Sequence, residues 1–380
     1  MRCQADAMRV GLPRMHQEDG ERRDFLPPFV AALCRDGVDG VVLEEGYGSG
    51  MDVEPSEYLA IAPCVRFAPY LEVFDQDVVI VVRCPDEEAI RSMRPGSILV
   101  TMLHFPTRPG RIQLLDEVGL DALSLDSVVD DTGHRLVENL ESVGWNGVEA
   151  AFRELARIHP YFSHPSRRPL RVTCLGAGAV GGHAVRAATR YGDMRLREEM
   201  VARNVPGVEV TVVDFDLTWH EDYMLSRLER TDLLIDATGR LDTSIPVIPN
   251  TWLAALPEEA VILDLSSDPY LPEAEPPMVK GIEGVPQGDL DGYVFPVDHP
   301  AWDTQPPSVD TTNRRLALSC YAWPGIHPRR CMEVYGSQIE PLMTLVLTAP
   351  IEAWDERNGP HDMRAAARGA LARWRTTVDG

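Results

Sequence analysis

The chain has 380 residues, 36 of them basic and 59 acidic, for a formal net charge of −23. A surface of that sign repels nucleic acid and anionic membrane, which excludes both as main partners and points to a small-molecule ligand. The length exceeds one ordinary core and predicts two domains.

The opening residues, "MRCQADAMRVGLPRMHQEDGERRD", contain no apolar signal segment. No stretch approaches the roughly 18 apolar residues that span a bilayer, so the expectation is a cytoplasmic protein. Seven cysteines are scattered without a C-x-x-C pair, which reads as buried thiols in a reducing compartment rather than disulfides or a metal site. Of the 36 basic residues one, Lys280, is lysine and the other 35 are arginine, a compositional bias.

From about residue 28 to 126, β-rich runs alternate with polar, helix-like stretches: "GVVLEE" at 40–45, "DVVIVV" at 77–82, "SILVTML" at 97–103 and "DALSL" at 121–125. The alternation predicts βαβ units on a parallel sheet. A helical segment at 145–159 runs into "PYFSHPSRRPL", a Pro- and Arg-rich break taken as the domain crossing. A second α/β unit follows, with strands expected at 171–176, 208–214, 231–237, 260–266 and 292–297, and an extra helical element at 194–207. Beyond about residue 320 the chain is helical and is expected to pack back on the first domain. The predicted fold class is α/β: two Rossmann-like parallel-sheet domains separated by a cleft, the C-terminal helices returning to the first. Residues 1–155 with about 325–380 form the expected substrate domain, and 156–324 the NAD-binding domain.

"RVTCLGAGAVGG" at 171–182 fits G-x-G-x-x-G between an apolar strand and a helix. Gly176 permits the turn, Gly178 lets backbone approach a pyrophosphate, and Gly181 lets helix and strand pack closely, with the anion at the helix N-terminus. Ala179 and Val180 inside the turn and Thr238 after "TDLLIDA" join the predicted cofactor-binding set. Asp214 ends the next strand, where a carboxylate binds adenosine ribose hydroxyls. No arginine follows in "FDLTWHEDY", so NAD is favoured over NADP.

This mid-chain fingerprint behind an α/β domain resembles the alanine dehydrogenase and saccharopine dehydrogenase superfamily. "GERRDFLPPFV" is similar to the family's early arginine motif and places Arg22 at the substrate carboxylate. "VVIVVRCP" resembles the strand that ends in the family's catalytic lysine, which falls here on Arg83, and "ILVTMLHFP" the strand that carries its catalytic histidine, here His104. "DDTGHRLVENLESVGWNG" resembles a Gly-Arg motif that gives Arg135 a second substrate-binding role. "VILDLSSD" places Asp268 by the nicotinamide. The resemblance thus implies His104, Arg83 and Asp268 as catalytic, with Arg22, Arg135, Tyr321 and Trp323 binding substrate. Solvated charge at Arg22, a helix cap at Asp268 and a packing anchor at Tyr321 and Trp323 are the plain alternatives.

Two departures bear on the reaction. An arginine is not a general base at neutral pH, although it can bind a carboxylate bidentately. In "LSCYAWPG", Tyr321 and Ala322 stand where the saccharopine enzyme places Asp and His. The expectation is an NAD-dependent dehydrogenase of an N-substituted, saccharopine- or opine-like amino acid. The alternatives are a primary amino acid dehydrogenase of the alanine type and a catalytically silent NAD-binding protein. The expected partner is a small amino-acid-derived molecule; homo-oligomerisation is left open, and no histidine spacing suggests a metal site.

Overall fold

The structure is a computed structural model that describes residues 8–355 and 363–371, apart from 37, 62, 106, 107, 109, 241 and 267. The chain divides into two compact units, residues 1–139 with 327–380, and residues 140–326.

The first unit is built on a six-stranded parallel sheet in the order β3-β2-β1-β4-β5-β6. Its strands are β1 (Arg9–Leu12), β2 (Gly40–Glu44), β3 (Val65–Ala68), β4 (Val78–Arg83), β5 (Ile98–Met102) and β6 (Asp121–Ser124). β2, β4 and β5 read as near-continuous Val, Ile and Leu runs because helices cover both faces of a parallel sheet. β1 and β3 are absent from the sequence expectation. In β1, a Cβ on Gly11 would lie 2.0 Å from the Val73 carbonyl oxygen, so glycine lets the helix Tyr70–Phe74 press against the strand. Helix Pro27–Arg35 opens on proline and buries Phe29, Val30 and Leu33.

The C-terminal helix Pro328–Thr348 completes this core with Met332, Tyr335, Ile339, Leu342 and Met343. The helix Met363–Gly369 follows, and Leu371 bridges to Leu123 of β6. The expected remainder of that tail lies outside the described residues. Cys34 and Cys64 form a disulfide, which corrects the expectation of thiols throughout; Cys84, Cys174, Cys320 and Cys331 are buried thiols.

The second unit has the order β11-β12-β10-β9-β7-β8. Its strands are β7 (Leu170–Leu175), β8 (Val208–Val213), β9 (Leu233–Asp236), β10 (Val261–Asp264), β11 (Val294–Phe295) and β12 (Leu316–Ser319), parallel except for β11. β12 was not expected, and the expected strand at 292–297 shrinks to the short antiparallel edge β11. The extra helix spans Met194–Ala202.

The break expected near residue 155 falls at 139/140. Helix Leu140–Ile158 buries Val148, Ala151, Phe152 and Leu155 in the core of the second unit. Two glycines let it settle there: a Cβ on Gly144 would lie 2.8 Å from the Ala184 nitrogen, and one on Gly147 would lie 2.3 Å from a Leu265 methyl.

Candidate functional site

In the first unit, β1 and β4 are neighbours from which the strand order runs outward in opposite directions, the place where open α/β sheets bind ligands at their carboxyl ends. The loop after β1 is tied down there. Glu44, at the end of β2, accepts the Arg14 backbone N–H at 2.7 Å and lies 2.7 Å from His16 Nε2. Further along the loop, Glu18 forms an ion pair with Arg83, the last residue of β4. Arg23 is buried and pairs in bidentate fashion with Glu21, donating from Nε at 2.8 Å and from a terminal nitrogen at 2.5 Å. Burial pushes the Glu21 carboxyl up, but the Arg23 hydrogen bonds and charge bring it below its ordinary value. Of the two adjacent arginines the structure buries Arg23 and exposes Arg22, whose backbone N–H donates to Glu21.

The next strand ends carry His104 and Asp126. Nδ1 of His104 lies 3.2 Å from Asp126 Oδ2, its backbone N–H donates to Oδ1 at 3.3 Å, and Ser124 Oγ donates to the same oxygen at 2.7 Å. Against the upward push of burial, these bonds and the charge of a protonated His104 hold the Asp126 carboxyl well below its usual range. The imidazole is half exposed, and the backbone of His104 is left-handed, φ +50°. Cys84, which follows Arg83 in the chain, is buried, which raises its thiol pKa. Arg135 is exposed on the short hairpin that pairs it with Val129, and it makes no ion pair among the described residues.

In the second unit the Gly-rich turn has the shape the pattern requires. Gly176 has φ +91°, and a Cβ there would lie 2.6 Å from the Ala237 carbonyl; one on Gly181 would lie 2.1 Å from the Gly176 carbonyl. Gly178 faces open space and caps the helix Ala179–Ala188, of which Ala179 and Val180 form the first turn. Across the turn, the Asp214 carboxylate accepts the Ala177 N–H at 3.4 Å. A close-packed turn with one bare, open glycine at a helix N-terminus and a facing carboxylate fits a dinucleotide.

The ends of β9, β10 and β12 hold a buried polar cluster. Thr238 donates its N–H and hydroxyl to Asp236 at 3.0 and 2.7 Å. Lys280, 1% exposed, donates to Asp264 at 2.5 Å, to Ser319 at 3.1 Å and to Gln287. Burial, then the neighbouring Asp264, pushes the Asp236 carboxyl up to about 6. Asp268 is part-buried and pairs with Arg240 at 2.6 Å, and Arg240 also donates to the Val279 carbonyl. Tyr321 is exposed, whereas Trp323 is 1% exposed and donates to the Asp264 carbonyl at 2.9 Å. Asn146 of the helix Leu140–Ile158 donates to the Trp323 carbonyl at 3.0 Å. Trp323 is therefore an anchor for that helix and is not presented to a ligand, which corrects its expected role in substrate binding.

Among the described residues, no group of three or more His, Cys, Asp or Glu side chains is placed to hold a metal ion. Nor is any helix there long and apolar enough to cross a membrane.

Residues 11–143 match the family model described as alanine dehydrogenase/PNT, N-terminal domain. Over those residues the chain is similar to the N-terminal domain of that family. An alanine dehydrogenase of Mycobacterium tuberculosis is 24% identical over 275 residues, 69% of this chain and 73% of that protein. An NAD(P) transhydrogenase subunit alpha of Haemophilus influenzae is 24% identical over 191 residues, and the match spans only 37% of its length. A solved L-alanine dehydrogenase superposes with a TM-score of 0.70 at 17% identity, covering 96% of this chain and 94% of that one. A transhydrogenase from Sinorhizobium meliloti gives 0.58 at 16% identity, covering 90% and 94%. The alanine dehydrogenase side of the resemblance is supported, and the saccharopine side is not.

Within this alanine dehydrogenase-like frame, sequence reasoning missed Glu18, Arg23, Asp126 and Arg240. Asp126 was within reach, as an acid just past the end of a predicted strand. Glu18 and Arg23 sit in "HQEDGERRD", where a run of charges reads as solvated surface and only burial distinguishes one charge from the next.

Proposed function

We propose that the protein is an NAD-dependent dehydrogenase of a primary α-amino acid, of the alanine dehydrogenase type. The observation that carries this reading is the turn Gly176–Gly181 with its open glycine and the facing Asp214. Gly178, Ala179 and Val180 would receive the pyrophosphate, and Asp214 the adenosine ribose. Asp214 disfavours a 2'-phosphate, and no arginine follows it to compensate. The bound nicotinamide supplies the hydride acceptor.

The rest of the chemistry falls to the chain's own side chains. Arg83 stays charged at every workable pH and is suited to the substrate carboxylate. His104 exchanges protons with substrate and water: Asp126 takes its Nδ1–H, which fixes the tautomer and leaves Nε2 to act. Asp268, held by Arg240, is assigned to the cofactor end of the site. Arg22 and Arg135 are exposed and are kept as auxiliary substrate contacts.

The N-substituted substrate that sequence reasoning placed first gives way to the alternative it placed second. Its support came from Arg83 in place of the family's lysine and from the saccharopine-like layout of the segment after residue 320. The named relatives that support an amino acid substrate are alanine dehydrogenases. The test is NADH formation from NAD+ with a panel of primary amino acids and of opines. Turnover of primary amino acids is expected; turnover of opines alone, or NAD binding with no turnover of any amine, overturns the reading.

A further inference from the structure

Arg83 and Glu18 meet where the sheet of the first unit switches direction. Arg83 ends β4, and Glu18 comes from the loop that leaves the neighbouring β1. The pair spans the crevice where this topology receives ligands. It is partly open to solvent, with side-chain exposures of 31% for Arg83 and 12% for Glu18. Beside it lies a second pair made the same way, Arg23 with Glu21, and Tyr335 is within electrostatic reach of both arginines. Each arginine of the two pairs thus faces a carboxylate of its own.

A site built for a plain carboxylate would show uncompensated positive charge. An electroneutral pair suits a ligand that itself carries one charge of each sign. A guanidinium has five N–H donors and a carboxylate about four acceptor positions, so pairing with each other exhausts neither. An α-amino acid laid across the pair would set its carboxylate on Arg83 and its ammonium on Glu18.

We propose that Glu18 receives the substrate's α-ammonium, so that the Arg83–Glu18 pair recognises a primary amino acid as a zwitterion. This rests on the amino acid dehydrogenase reading and adds a specificity residue to it. Oxoacids lack the cation and meet Glu18 as a like charge. Opines bring a second carboxylate toward it.

The experiment is isothermal titration of the full chain, saturated with NADH, against alanine, pyruvate, N-acetylalanine and iminodiacetate. Wild-type protein should bind alanine at least tenfold more tightly than the three anions. Glu18→Gln should weaken alanine by about tenfold or more, the range for losing a hydrogen bond to a charged group, and leave pyruvate unchanged or tighter. Equal affinity of wild type for alanine and N-acetylalanine overturns the assignment, as does an equal effect of Glu18→Gln on alanine and pyruvate. The wild-type comparison decides the matter even if the variant melts early. Alanine binding that depends on Glu18 without NADH formation from any amino acid would sink the dehydrogenase reading and leave the assignment of Glu18 standing.

Discussion

Asp126 grips His104 at two points, the imidazole Nδ1 at 3.2 Å and the backbone N–H at 3.3 Å. One carboxylate thus sets both the tautomer of the ring and the left-handed turn that carries it. His104→Gln should lower kcat by about 10²-fold or more, and Asp126→Asn by a smaller factor. Stopped-flow rates for the three proteins check this; a His104→Gln rate within about tenfold of the wild type moves the proton transfer elsewhere.

The Gly-rich turn separates binding from folding. Gly178 faces open space, so Gly178→Val should abolish NADH binding with little change in melting temperature. Gly181 touches the Gly176 carbonyl, so Gly181→Val should lose both binding and stability. Calorimetric titration and thermal melts on the same samples distinguish the two.

Asp214 sets the choice of cofactor. The wild type should bind NADH more tightly than NADPH, and Asp214→Ser should bring the two affinities at least tenfold closer by removing repulsion of the 2'-phosphate. Wild-type preference for NADPH would overturn this.

Asp24 gives the first unit a pH-dependent stability. Its carboxyl is pushed up to about 7, by burial first, while the Gly48 N–H at 2.7 Å and Arg14 pull it back only in part. The unfolded value is near 3.9. Between pH about 4 and 7 the folded chain therefore holds a proton that the unfolded chain has lost, so this residue makes stability fall as pH rises through that window and level off above it. Asp24→Asn should remove that slope and gain on the wild type at pH 8 relative to pH 5, as read by urea unfolding at the two pH values.

Lys280 balances a buried acid. Lys280→Met leaves Asp264 without its cation in the core and should cost about 3–5 kcal/mol. Lys280→Arg should not restore this, because a planar guanidinium does not match three acceptors gathered round a point charge. Denaturant unfolding of both variants is the measurement.

Long, doubly covered strands were legible in sequence. β4 is apolar up to Arg83 and β5 is interrupted by Thr101 alone, and the β7 turn announces itself by its glycines. β1 and β3 were missed because their apolar runs are broken, β3 by Arg66 and β1 by a glycine whose reason is the Val73 carbonyl across the layer; β12 is a short run between loops. His104 and Arg83 could be found because they end visible strands. The partners that define their chemistry could not, since Glu18 lies 65 positions before Arg83 and Asp126 lies 22 after His104. Lys280 was noticed as a compositional oddity, and its acceptors are scattered from Asp264 to Ser319.

That solitary lysine also turns the chain into its own unfolding gauge. A protease that cuts only after lysine has one address in the whole sequence, and acylating dyes aimed at side-chain amines have the same one. With Lys280 sealed at 1% exposure, the native second unit should resist both reagents. A single cut into fragments 1–280 and 281–380 would then count the molecules whose β9, β10 and β12 ends have come apart, one opening event per cleavage.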